Sequence, residues 1–246
     1  LFYQQTKKLF FFDFGLSIDG KNIQQEIKNR VMPSLAIAVP SFLIGIILNL
    51  LISCVLVFFR NTHLNTIGLL LSIGFLSIST LFYIIFAQYY FAYVWRLFPI
   101  SGYVPGFAAI GFVLLPVITH LLAGLGSGTR WYRTLLLEEI EQFYVVTARA
   151  NGIKESKLLI QYALRNALLP IVTGVVVLIP SLFMGSLLYE SFFSIPGLGN
   201  YLFLALQHQD FPVVRTMVFL GSLSYLIGLI LTDITYGLID PRVRIE

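Results

Sequence analysis

Side chains able to do chemistry are scarce and far apart in this sequence. His63, His120 and His208 fall in three different segments, so no pair has the spacing of a helical metal site such as HExxH. No glycine-rich phosphate loop ends in a lysine, and no serine sits on a nucleophile elbow. The single cysteine, Cys54, lies in an apolar run, which excludes an internal disulfide and a cysteine metal cluster. His120 and Asp233 lie in or beside apolar runs, where an ionisable group can mark a proton relay or an ion path. Both are near a run's end, so the plainer reading is a packed histidine and an acid at the interface. What stands out is a block, "TARANGIKESKLLIQYALRNALLP" (147–170), with Arg149, Lys154, Glu155, Lys157 and Arg165, in a chain of which only 11% is charged.

The elements around that block are set by hydropathy. The 246 residues are 57% hydrophobic with a mean hydropathy of +0.85, whereas a soluble domain is about 45–50% apolar and about 25% charged. This composition describes an all-α polytopic membrane protein, and a net charge of +4, scattered along the chain, gives no case for nucleic acid. Val31–Phe59, Asn61–Trp95, Leu97–Thr129, Asn166–Tyr189 and Thr216–Thr232 carry no Asp, Glu, Lys or Arg. A spanning helix needs about 20 apolar residues. Five spans are therefore expected, near 33–58, 66–93, 104–125, 169–189 and 214–237. Kinks are expected at Pro40, Pro116, Pro170 and Pro180, and "GLGSG" (124–128) is expected to break the third span.

Lys and Arg set the orientation. Arg130, Arg133, Arg149, Lys154, Lys157 and Arg165 crowd 126–168, Arg242 and Arg244 close the chain, and 190–213 has no Lys or Arg. The polar block and the tail are expected in the cytoplasm, and 190–213 outside. Residue 1 would then lie outside, despite Lys7, Lys8, Lys21, Lys28 and Arg30 and without a signal peptide. A sixth helix before Leu1 in the full protein would reconcile these facts. Residues 1–32 read as an extracytoplasmic segment and 33–246 as the transmembrane domain.

The polar block reads as helices at the membrane surface. Over 131–150, Leu135, Leu136, Ile140, Phe143, Tyr144 and Thr147 recur at helical spacing. Gly152 then offers the left-handed conformation that closes a helix, and a second helix runs into Leu168-Leu169-Pro170. A loop that only reverses the chain needs a few residues. The loop 190–213 is likewise too long and apolar for a simple turn; Phe192, Phe193, Ile195, Pro196 and Leu198 are expected to fold back as a re-entrant hairpin.

With these segments in order, the sequence resembles the permease subunits of binding-protein-dependent ABC importers, on the branch that carries peptides and nickel. The block resembles that family's "tARAkG…aLrnalLP" loop. "FDFGLSIDGKNIQQEIKNRVMPSLAIA" (12–38), "FPISGY" (98–103), "YESFFSIPGLGNYL" (189–202), "DFPVV" (210–214) and "DITYGLIDPRVR" (233–244) resemble further family stretches in sequence order. Val146, Thr147 and Ala148 stand where the general importer signature has Glu-Ala-Ala.

The resemblance implies a coupling helix that docks into a cytoplasmic ATPase, made here by Thr147, Ala148, Arg149, Ala150, Gly152, Ile153, Lys154, Glu155, Ser156, Lys157 and Leu158. The outer loop, with Glu190, Phe192, Phe193, Pro196, Gly197, Leu198 and Gly199, is expected to help gate the pathway and receive the binding protein, the alternative being an extracellular cap without substrate contact. The partners the resemblance implies are ATPase subunits, a second homologous permease, an extracytoplasmic binding protein and membrane lipid, in a bacterial cytoplasmic (inner) membrane. No cofactor is expected on this chain; ATP and Mg would belong to the ATPase, so the chain is expected to be a transport subunit and not an enzyme. "FPISGY" points to one of two subunit types. Small residues such as Gly45, Gly68, Gly74, Ser77, Gly174 and Ser181 would serve contacts with the second permease or packing inside this chain. Two alternatives stand beside the peptide reading: an importer for nickel or another small solute, and an ion- or proton-coupled secondary transporter. The second would place ionisable groups or broken helices at mid-membrane in repeated halves.

Overall fold

The structure is a computed structural model that describes residues 11–106 and 108–239. Lys7, Lys8, Arg242, Arg244 and the closing "DPRVR" lie outside the described residues. Those residues form helices in the order α1 (Ile23–Phe58), α2 (His63–Ser77), α3 (Thr80–Ala87, prolonged by a π-helical stretch Gln88–Val94), α4 (Ala109–Ile140), α5 (Phe143–Ala150), α6 (Glu155–Lys157, prolonged by a π-helical stretch Leu158–Ala163), α7 (Leu164–Val176), a 3-10 turn (Pro180–Met184), α8 (Leu187–Phe192), α9 (Leu198–Gln207) and α10 (Phe211–Ile239). An isolated antiparallel bridge pairs Leu16 with Asn22. Four helical stretches are long and apolar enough to cross a membrane, and a fifth if the bent pair α2–α3 counts as one. Helices satisfy their backbone groups internally, as a bilayer requires.

The expected spans differ from the helices in four places. The first helix begins at Ile23 rather than near 33, because Ile23 and Ile27 already pack in a core with Leu198 and Val213. The second span is not one helix: α2 and α3 meet at 86°. No proline sits at this break. Ile78 takes an extended conformation, Tyr83 Oη donates to the Phe75 carbonyl (2.9 Å) and Ser77 Oγ to that of Ile73 (2.8 Å), supplying partners near the break. Pro116 and Pro170, by contrast, lie inside continuous helices.

The third difference corrects the reading of "GLGSG" as a breaker: α4 runs through it without interruption. A β-carbon on Gly126 would stand 2.6 Å from the Ser72 carbonyl oxygen and 2.8 Å from the Leu76 nitrogen. The glycine lets α2 and α4 touch backbone to backbone. Three residues on, Thr129 Oγ1 donates to Asn49 Oδ1 (3.0 Å) and Ser53 Oγ donates to the Thr129 carbonyl (2.8 Å), a buried polar clamp between α1 and α4. Fourth, 131–150 is not one helix. The chain breaks at Glu141–Gln142 and starts again at Phe143.

The described residues fall into two compact units. One takes in residues up to Val39, Ile84–Val117 and Leu178–Ile230, and its core joins Phe14, Ile23, Leu198, Ala205, Val213 and Met217. The other takes in Pro40–Tyr83, Ile118–Val177 and the residues from Leu231 on; its core joins Val57, Tyr132, Leu136, Ile140, Val145, Leu158, Ala163 and Ile171. Gly68 faces Leu56, and Gly174 lies 2.5 Å (as a built β-carbon) from the Trp131 ring, so those two small residues serve packing inside this chain.

Candidate functional site

In the second unit, the polar block folds into a helix, a corner and a second helix. α5 presents Thr147 and Ala150 to the outside while Val145 and Ala148 are buried. The helix ends in a reciprocal pair of bonds: Gly152 N donates to the Arg149 carbonyl (3.0 Å) and Ile153 N to that of Ala148 (3.3 Å). This is the Schellman closure, which needs a left-handed residue at its penultimate position. Gly152 supplies it at φ +81°, as expected from the sequence. Ile153 packs against the core beyond it, and Leu158, Leu159 and Ala163 are buried along the π-helical stretch that leads into α7.

The eleven residues proposed from the sequence for this corner do not share one environment. Thr147, Ala150, Gly152, Lys154, Ser156 and Lys157 are exposed, and Ala148 and Leu158 are core. Arg149 and Glu155 face each other: Arg149 Nε donates to Glu155 Oε1 (2.5 Å), and Arg60 Nη2 donates to Glu155 Oε2 (3.1 Å). Two of the block's five charges thus brace the corner against the end of α1. Arg60, 95 residues away, carried no local signal. Phe143, set at helical spacing with Leu136 and Ile140 in the sequence, is 89% exposed at the start of α5, because the interruption at Glu141–Gln142 shifts the helical phase.

In the first unit, α8 and α9 pack on each other as a helical hairpin. Phe193, Ile195, Gly197, Leu198 and Gly199 are buried at its turn, whereas Phe192 and Pro196 stay outside. The "FPISGY" stretch meets this turn, since Gly102 N donates to the Phe193 carbonyl (2.9 Å), and Gln88 Nε2 bonds the carbonyls of Phe192 (2.8 Å) and Ile100 (3.3 Å). Glu190 is 1% exposed. Its Oε1 accepts from Ser186 N (3.1 Å) and its Oε2 from Asn200 N (3.0 Å), with Ser34 Oγ and Gly199 N also bonded to the carboxylate.

"DFPVV" also acquires a physical reason. Asp210 caps α10 by accepting from Val213 N (3.4 Å), and it holds the outer segment by accepting from Ser17 Oγ and from Ile18 N (3.3 Å). Asp210 lines a cleft of about 150 Å³ with Asp19, Glu26, Arg30, Tyr201 and His208. The Arg30 guanidinium lies 4.7 Å from the centre of the Tyr201 ring and donates to Glu26 (3.0 Å). Burial, then the nearby carboxylates of Glu26 and Asp210, push the Tyr201 phenol up to about 12. Among the described residues, no three His, Cys, Asp or Glu side chains stand close enough to hold a metal ion. His63, His120 and His208 are not brought together, and Asp233 is exposed on α10.

Residues 29–245 match the family described as "binding-protein-dependent transport system inner membrane component". The chain belongs to this family. It is a multi-pass membrane permease subunit of a binding-protein-dependent ABC importer, a transport component rather than an enzyme. Among its relatives is a putative peptide transport system permease protein of Brucella abortus (strain 2308), 33% identical over 97% of this chain and 77% of that protein. A dipeptide transport system permease protein of Bacillus subtilis (strain 168) is 28% identical over 100% of this chain and 79% of that protein. The permease fold is shared with the MetNI methionine ABC transporter in inward-facing conformations, with a TM-score of 0.68 at 18% identity over 88% of this chain and 98% of that one.

Proposed function

We propose that this chain is one of two homologous permease subunits of an ATP-driven importer for oligopeptides or dipeptides, working in a bacterial cytoplasmic membrane. The peptide class rests on the named roles of its relatives. The observation that carries the mechanism is the closed corner at Gly152, which projects Lys154, Ser156 and Lys157 outward while its far side is buried in the core. A corner of this kind meets a soluble partner with its polar face and passes displacement to α7 through its packed one. ATP and Mg²⁺ bind the cytoplasmic ATPase subunits, and closure of the ATPases moves the corner and re-aims the helices. An extracytoplasmic binding protein delivers peptide to the α8–α9 hairpin.

The test is uptake into vesicles that hold this chain, its second permease and the ATPases, with the binding protein inside the donor compartment and radiolabelled dialanine as substrate. ATP-driven accumulation is expected. Accumulation driven by a proton gradient without ATP would overturn the reading, and accumulation of Ni²⁺ in place of dialanine would overturn the peptide class.

A further inference from the structure

Glu190 is a buried carboxylate that no Lys or Arg pairs with among the described residues. A buried charge is costly unless other groups compensate it. Here the compensation comes from amides and one hydroxyl. Ser186 N lies before α8, and Gly199 N and Asn200 N lie in the first turn of α9, where the helix dipole favours an anion. Ser34 Oγ comes from α1; it bonds the carboxylate and accepts from Leu198 N at 2.8 Å. One side chain thus joins three stretches of the same unit: the entry to the hairpin, its second helix and α1.

The backbone is shaped around this group. β-carbons built on Gly185 and Gly197 would collide with the Glu190 carboxylate and crowd Ser34 Oγ at 2.8 and 2.5 Å. Gly185 is also left-handed at φ +71°. Gly197 of "PGLG" and Gly185 thus leave the room the carboxylate occupies, while Gly199 lets α9 approach the Ser186–Leu187 backbone. With six residues, α8 is far below the length at which an isolated helix persists in water, so tertiary contacts must hold it, and this anchor acts beside its packing on α9 and the Gln88 bond to the Phe192 carbonyl.

We propose that Glu190 is a positioning residue that fixes the α8–α9 hairpin to α1, so that the outer gate moves as one body with α1 and not as a flexible lid. The functional half of this rests on the transport reading above.

The experiment compares the assembled complex carrying Glu190→Gln or Ser34→Ala with the unaltered complex. Amide hydrogen exchange is followed over 185–200, together with ATP hydrolysis stimulated by dialanine-loaded binding protein. Glutamine puts a donor against the amides that Glu190 accepts from, and Ser34→Ala removes one hydroxyl and leaves the carboxylate. Exchange at Ser186, Gly199 and Asn200 is expected to rise at least tenfold in Glu190→Gln and less in Ser34→Ala, with α4 and α7 unchanged. Stimulated hydrolysis is expected to fall while the ATPases stay bound. Exchange at the unaltered level in Glu190→Gln overturns the anchor, and a loosened hairpin with undiminished stimulation overturns its role in gating. Should Glu190→Gln not assemble, Ser34→Ala decides: an exchange rise confined to the hairpin supports the anchor, and none overturns it. A complex that takes up no dialanine defeats the peptide reading alone, because the exchange measurement needs no transport.

Discussion

Replacing Gly152 isolates the backbone requirement of the coupling corner. At φ +81° an L-residue is strained, yet a β-carbon built there meets nothing within 4 Å. Any loss therefore comes from the left-handed conformation or from the docked partner, and not from a clash inside this chain. That conformation costs a β-carbon-bearing residue roughly 1–2 kcal/mol, which is about 5–30-fold in the population of the closed corner. Asparagine tolerates the region best, alanine less, and a β-branched residue least. The expected order of coupling is Gly, Asn, Ala, Val. It is read as binding-protein-stimulated ATP hydrolysis per assembled complex, with ATPase retention on affinity beads as the second measure. Gly124→Ala is the control, since Gly124 sits inside α4 with open space and no positive φ, and it should leave coupling unchanged. Unchanged coupling in Gly152→Val would refute the argument, as would an equal loss in all three variants, which would mean that docking rejects any side chain at that place.

Gly126→Val should destabilise the protein by about 1–3 kcal/mol, the usual cost of overpacking, because its side chain must enter the space of the Ser72 and Leu76 backbone; Gly111→Val, with nothing within 4 Å, should cost less, and thermal size-exclusion profiles in detergent would compare them. Tyr201 should ionise near pH 12, seen as a phenolate absorbance that Tyr201→Phe removes. Because its folded value lies above the free value of 10, this group's contribution to stability is complete below pH 10 and is lost as pH rises toward 12. A Tyr201 titration near pH 10 would contradict the burial seen here.

Much of the architecture was legible because lipid and helix geometry impose strong local rules. Uncharged runs located the spans, and Gly152 marked the corner. The prolines did not mark where helices end in the same way: Pro116 and Pro170 lie inside helices, whereas Pro180 opens the 3-10 turn. The break at Ile78–Ser79 left no such mark; its carbonyl partner, Tyr83, lies in the following helix. Periodicity set Phe143 in phase with Leu136 and Ile140, and the two non-helical residues Glu141 and Gln142 separate it from those buried positions. Glu155 read as a docking charge because Arg60 is invisible at a separation of 95 residues. Glu190 read as part of a gate, but its donors are backbone amides and a serine 156 positions earlier in the numbering (190 − 34), which no residue pattern announces.

The bend between α2 and α3 bears on how the protein is made. α2 has 15 residues, about 22 Å at 1.5 Å per residue, short of the roughly 30 Å hydrocarbon layer. The nascent chain nevertheless offers the insertion machinery one uncharged stretch, Asn61–Trp95. Hydrophobicity delivers that stretch to the bilayer without specifying its angle. The backbone surface that receives α2 is Gly126 on α4, and α4 is synthesised later. The contact that receives α2 can therefore form only once α4 has been made.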